Sequence, residues 1–277
     1  MQSYGPATEA KVAEVVETAK LYGRRSIVAL AGVPGTGKSF IANIAAQRLA
    51  SDPLMVREIQ FHPSYSYEEF IEGYRATPSG GFSTELGVLL EWNELARSDQ
   101  DKTYILLIEE FTRANLPSVL GELLTYIEHR ERMFFTMYTR RPAKIADNLI
   151  ILSTFNPRDR SALELDDALI RRLRVISCPP DLGQLTEMLE VTSIPKKAIA
   201  GISGLFEACA KLKDYETLMP FGHGMFAGID TEKPHLYRLW TQRILPIIRR
   251  PLLQPHPFYE TISSNYPWQD PNFSIGE

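Results

Sequence analysis

Apolar residues recur along this chain in two rhythms. Val12, Val15, Val16 and Ala19 repeat at the spacing that places them on one helix face, and Gly23 offers a stop. Residues 27–31 form a short unbroken apolar run followed by glycine, which predicts a buried strand. Helical spacing returns from Lys38 through Ile41, Ile44, Ala45 and Leu49, and residues 55–61 form a second strand candidate. Ser66 with Glu69 three positions later makes a capping box that opens a helix through Phe70 and Ile71. Ser79-Gly80-Gly81 reads as a flexible loop, and Leu86, Leu89, Leu90 and Asn93 mark a helix to about Arg97. Residues 104–108, 149–153 and 174–177 supply three more strands. Between them, 118–128 has helical spacing and 133–138 resembles one arm of a hairpin. Strands alternating with helices predict a parallel sheet covered on both faces.

Cys178-Pro179-Pro180 ends this alternation, because two prolines stop a strand and stiffen a junction. Beyond it, residues 182–191, 196–213 and 235–249 read as helices. The pattern divides the chain into an α/β core (1–178), a small helical domain (179–250) and a tail (251–277). The tail carries Pro251, Pro255, Pro257, Pro267 and Pro271 among aromatics and reads as extended, either a loose terminus or a strap for a neighbour.

Composition narrows the picture. Of 277 residues, 44% are hydrophobic and 23% charged, which suits a packed globular protein. No apolar run approaches the roughly 20 residues of a membrane-spanning helix. The first residues lack the apolar stretch of a secretory signal. Cys178 and Cys209 match no metal or redox spacing and suit a reducing cytoplasm. A net charge of -4 lacks the basic excess of a dedicated nucleic-acid reader, though a basic pore shared by several subunits would not show in that sum. His62, His129, His223, His235 and His256 show no ligand spacing, so no metal site beyond Mg²⁺ is expected.

The chemistry is concentrated in four stretches. Gly32-Val33-Pro34-Gly35-Thr36-Gly37-Lys38-Ser39 matches the phosphate-loop pattern in full, after an apolar strand and before an amphipathic helix. Its glycines let backbone N–H groups curl toward phosphate oxygens, and the helix N-terminus adds partial positive charge. Lys38 is expected to reach the β- and γ-phosphates, and Ser39 to ligate Mg²⁺. Residues 104–108 are followed by Glu109 and Glu110, an apolar strand ending in two acids, the Walker B arrangement. Glu109 is expected to hold the Mg²⁺ shell and Glu110 to act on the attacking water. Asn156 ends the next buried strand, where it either aligns that water or turns the loop before Pro157. Arg171, Arg172 and Arg174 form a basic cluster before the last strand, either a solvated face or a pointer at a neighbouring subunit's γ-phosphate. The fold class expected is therefore a P-loop NTPase, a three-layer αβα core with a helical lid.

This order of motifs resembles the AAA+ ATPases, and more narrowly their McrB-like branch, the motor subunits of modification-dependent restriction systems, related to the MoxR and dynein-like group. Four segments carry the resemblance: the residues 61–73 run FHPSYSYEEFIEG, the residues 110–116 run EFTRANL, Asn156-Pro157-Arg158-Asp159-Arg160, and Phe221-Gly222-His223-Gly224-Met225-Phe226. It extends over about residues 8–253. It implies a ring, usually a hexamer, with ATP or GTP and Mg²⁺ at subunit interfaces. Asn156 takes the sensor 1 position, Asp159 and Arg160 the signature acid and base, and Arg171 and Arg172 become trans-acting finger candidates. Arg238 and Arg243 are candidates for sensor 2. The resemblance also implies a McrC-like, nuclease-bearing partner subunit and DNA contact through the complex.

Three departures stand out. Glu109 replaces the branch's Asp, and Thr112 replaces its Asn. The sequence begins almost at the core and shows neither a modified-DNA reader nor a nuclease signature. The leading expectation is an ATP- or GTP-driven ring motor of a defence complex. Its rivals are a MoxR-like protein-remodelling chaperone and a nucleotide-gated scaffold that scarcely hydrolyses.

Overall fold

The computed structural model describes residues 4–159, 165, 167–190, 196–212, 219–229, 233–249, 258–266, 268 and 269. They form two compact units: residues 10–31 and 38–177, and the described residues of 1–9, 32–37 and 178–277.

The elements up to residue 177 are α1 (Pro6–Tyr22), β1 (Ile27–Ala31), α2 (Lys38–Leu49), β2 (Val56–Gln60), α3 (Tyr67–Phe70), β3 (Glu72–Ala76), β4 (Phe82–Leu86), α4 (Val88–Ser98), β5 (Tyr104–Glu109), α5 (Leu116–Leu120), α6 (Leu123–Tyr126), β6 (Phe134–Phe135), β7 (Pro142–Ala143), β8 (Leu149–Phe155), α7 (Asp167–Arg172) and β9 (Leu173–Ser177). Five parallel strands join in the order β2-β5-β8-β1-β9. Sequence pattern follows rank in the sheet. The inner strands β1 and β8 are buried along their whole length and β5 up to Glu109, which is why they read as unbroken apolar runs. The edge strands β2 and β9 leave residues exposed.

Two local features differ from the sequence reading. The stretch around Ser79-Gly80-Gly81 is the turn of an antiparallel hairpin, β3 with β4, whose strands EGYRA and FSTEL are too polar to announce themselves. The helix expected over 118–128 is two short helices, α5 and α6, parted by Gly121 at φ 47°. The buried carboxylate of Glu72 ties the first hairpin to the second, β6–β7. It accepts from the backbone N–H groups of Tyr138 (2.9 Å) and Thr139 (2.8 Å) and from the Thr139 hydroxyl (2.6 Å). These bonds hold the carboxyl below its ordinary range against the opposing effect of burial.

The other unit is helical: α8 (Leu182–Glu190), α9 (Lys196–Ala210), a 3₁₀ turn (His223–Phe226), and a rod of Lys233–Leu239, a π-turn (Trp240–Ile244) and Leu245–Ile248. The tail is not simply extended. Residues 251–257 lie outside the described residues, but Tyr259–Asn265 is helical, and Phe258, Ile262, Tyr266 and Trp268 are buried in this unit's core. Tyr266 stacks on Trp240 at 4.9 Å and donates its hydroxyl to the Leu236 carbonyl (2.7 Å). Among the described aromatics of the tail, Phe258, Tyr266 and Trp268 are internal packing.

Candidate functional site

Parallel pairing brings the chemistry to one edge of the sheet. With β1, β8 and β5 adjacent, the loop after β1, the end of β8 and the end of β5 all emerge at carboxyl ends, where ligands of such sheets bind. Residues 32–37 form the loop from β1 to α2, with Gly35 at φ 79° and Gly37 at φ 73°, a region in which a side chain is strained. Thr36 donates its hydroxyl to the Val33 carbonyl (3.0 Å), closing the turn. Lys38 and Ser39 open α2.

Register then explains a contact. Ile108 of β5 lies opposite Ser153 of β8, so Glu109 and Thr154, one step on, share a face. Glu109 Oε2 accepts from Thr154 Oγ1 and from Ser39 Oγ (2.7 Å). Glu109 Oε1 is buried and has no hydrogen-bond partner. A buried carboxylate oxygen left unpaired is costly. Ser39 gives its proton to Glu109, so its lone pairs remain available. An anionic oxygen and a hydroxyl oxygen side by side are the hard donors that Mg²⁺ takes, and they fit the ion the sequence implied. Among the described residues no three His, Cys, Asp or Glu cluster as a metal site.

Glu110 follows with a left-handed backbone (φ 54°, ψ 40°), unusual for a non-glycine residue. The twist turns it out of the strand's alternation. Arg113 Nε donates to its carboxylate at 2.9 Å. The same Arg113 nitrogen lies 4.0 Å from Asp159 Oδ2, and Asn156 Nδ2 donates to Asp159 Oδ1 at 2.8 Å. Asn156, nine-tenths buried, is therefore joined to Glu110 through Asp159 and Arg113. Arg160 lies outside the described residues. Thr112 is buried, and its hydroxyl has no hydrogen-bond partner.

The two arginines of α7 part company. Arg172 is buried, donates to the Ala168 carbonyl (2.6 Å) and lies 3.1 Å from Glu128, so it braces its own helix. Arg171 is 66% exposed in its side chain and holds Glu128 only at 3.3 Å. Of the pair, Arg171 is the more exposed.

In the helical unit, Arg238 and Arg243 line one cavity of about 450 Å³ with Ala227, Gly228, Ile229, Leu239 and Gln242. His223 is buried, and its Nδ1 accepts from the Asp181 N–H (3.3 Å). Burial pushes its pKa from 6.5 down to about 4, against a smaller upward pull from Asp181. A base held neutral in the fold stabilises above the unfolded pKa, and that stability is lost as pH falls from 6.5 toward 4. The loss is on the order of 3 kcal/mol when complete. Melting midpoints should drop across that window, and His223→Gln should flatten the drop. An unchanged pH profile in the variant would refute a buried neutral imidazole.

Sequence reasoning missed Thr154 and Arg113. Both had a signal: Thr154 stands as far into β8 as Glu109 does into β5, and Arg113 lies three residues after Glu110 in a 3₁₀ turn.

Residues 27–173, just over half of the chain, match the family model described as AAA domain (dynein-related subfamily). The Type IV methyl-directed restriction enzyme EcoKMcrB subunit of Escherichia coli (strain K12) is 36% identical over 163 residues, covering 55% of this chain and 35% of that protein. The Type II restriction enzyme BsuMI component YdiS of Bacillus subtilis (strain 168) is 25% identical over 183 residues, covering 51% of this chain and 53% of that protein. The chain thus spans about a third and about half the length of these two relatives. A crystal structure from Cytophaga hutchinsonii ATCC 33406 aligns at TM-score 0.41 and 17% identity, covering 73% of this chain and 62% of that one, too distant to carry weight.

Proposed function

The chain belongs to the dynein-related subfamily of AAA domains, and from that premise we propose that it is a Mg²⁺-dependent ATPase that works as a ring and drives a restriction-type defence complex. The observation that carries the chemistry is the Ser39–Glu109–Thr154 cluster with its unpaired Glu109 oxygen. In this reading residues 32–37 cradle the triphosphate with backbone N–H groups, and Lys38 neutralises its outer phosphates. Ser39 and Glu109 hold Mg²⁺, which supplies charge neutralisation at the phosphates when bound. Glu110 accepts the proton of the attacking water, and Asn156 with Asp159 fixes the position of the Arg113 side chain that Glu110 leans on. Arg171 of the next protomer completes the site.

Both relatives are named as restriction-enzyme components, which supports a defence role, DNA contact through the complex and a nuclease-bearing partner of the McrC type. ATP is the default of the wider class, and GTP is the alternative that the McrB-like branch raises.

Hydrolysis of ATP and of GTP, each with Mg²⁺ and with chelator, tests the reading, together with light scattering in each nucleotide. ATP turnover that needs Mg²⁺, with a ring that forms on nucleotide addition, is expected. No turnover of either nucleotide rejects an NTPase. Glu109→Asp draws the carboxylate back by about 1–1.5 Å. A rate within a few-fold of wild type supports the motor; a steep gain favours a nucleotide-gated scaffold.

A further inference from the structure

The second compact unit contains more of the nucleotide loop than connectivity suggests. Residues 32–37 group with the described residues of 178–277, and a short backbone strap joins them. Gly222 N–H donates to the Pro34 carbonyl (2.8 Å), and Gly224 N–H donates to the Gly35 carbonyl (2.6 Å). The strap is anchored on either side. Phe221 and Phe226 are buried, and the His223 side chain, between the two donors, accepts from Asp181.

Glycine is needed in the strap for clearance. Gly222 has an ordinary extended backbone (φ -100°, ψ 178°) that alanine could adopt. A Cβ there would sit 2.3 Å from the Gly35 carbonyl oxygen, and one at Gly224 2.9 Å from the same atom. Both obstacles are backbone and cannot swing away.

The consequence follows from the planar trans peptide, in which a carbonyl and the next N–H point in opposite directions. Holding the carbonyls of Pro34 and Gly35 toward the strap turns the N–H groups of Gly35 and Thr36 away from it. Those are two of the donors a phosphate cradle requires. We propose that Gly222–Gly224 is a backbone clamp that presets the phosphate loop, so that this segment sets nucleotide affinity and nucleotide in turn orders this segment. The inference rests on the reading that residues 32–39 hold a nucleoside triphosphate. It adds a positioning element outside the loop and a route by which a partner gripping residues 178–277 could release nucleotide.

Linkage makes the clamp testable from both ends, because coupled sites change each other's equilibria by the same factor. In the full wild-type chain, adding ATP with Mg²⁺ should slow hydrogen exchange at the Gly222 and Gly224 amides. Gly222→Ala and Gly224→Ala should each raise the calorimetric Kd for ATP about tenfold or more. Gly204→Ala, at a helical position with open space around it, is the control and should leave Kd unchanged. Exchange at 222–226 that ATP leaves untouched, while calorimetry shows ATP bound, overturns the clamp and spares the ATPase. Absence of binding by ATP and GTP overturns both. The exchange measurement needs no variant, so it decides even if Gly222→Ala fails to fold.

Discussion

Glu110→Gln is expected to lower ATP turnover by about 10²–10⁴-fold, the usual worth of a positioned general base, while ATP still binds. Glutamine keeps the length and planarity of the side chain. It can therefore occupy the same left-handed turn (φ 54°) at the end of β5. It cannot take a proton from water. The Arg113 contact at 2.9 Å is weakened, but Arg113 is half exposed, so little stability depends on the pair. Single-turnover hydrolysis and equilibrium binding on the same sample separate the two effects. Turnover within a few-fold of wild type would remove Glu110 from the chemistry and leave Glu109 as the remaining acid at the strand end.

The contrast with Glu109 is physical. Glu109 faces Ser39 and Thr154 inside the sheet's edge and has a buried oxygen without a partner. Glu110 is turned outward onto Arg113. Glu109 is the last residue of β5, and the left-handed backbone of Glu110 takes the next side chain out of the strand and onto the turn that carries Arg113. Two neighbouring acids can thus take different work.

Much of this could be read in the sequence because the sheet's inner strands are buried on both faces and must be apolar throughout. Runs such as 27–31, 104–108 and 149–153 leave few other interpretations. The loop at 32–39 was legible because its glycines are required where φ is positive. The β3–β4 hairpin was hidden since most of its residues are exposed or half-buried, and its buried start at Glu72 and Gly73 is a carboxylate and a glycine rather than an apolar alternation. Arg172 was hidden for another reason: burial of a cation depends on Glu128 and the Ala168 carbonyl, partners that no local spacing announces. The Gly222–Gly224 strap was visible only as a motif, because its meaning lies in a contact with residues nearly 190 positions earlier.

The other large effect is expected at Arg171. An arginine supplied by a neighbour is worth about 10³–10⁵ in turnover, so Arg171→Ala should fall by a factor in that range. Its side chain is 66% exposed and its contact with Glu128 is at 3.3 Å, so melting and ATP affinity of the isolated protomer should scarcely move. Arg172→Ala should behave in the opposite way. Arg172 is buried beside Glu128 and donates to the Ala168 carbonyl, so removing it takes away both contacts, leaves a gap in the packing and should lower the melting point. Mixing is the decisive measurement. In the proposed ring each site would take Glu110 from one protomer and Arg171 from the next. Glu110→Gln and Arg171→Ala should each be nearly inactive alone, but a mixed ring would contain interfaces where an intact Glu110 meets an intact Arg171. Activity should therefore reappear on mixing and peak near equal proportions. If the mixture stays as inactive as its parts while light scattering shows mixed rings, Arg171 acts within its own protomer or not at all.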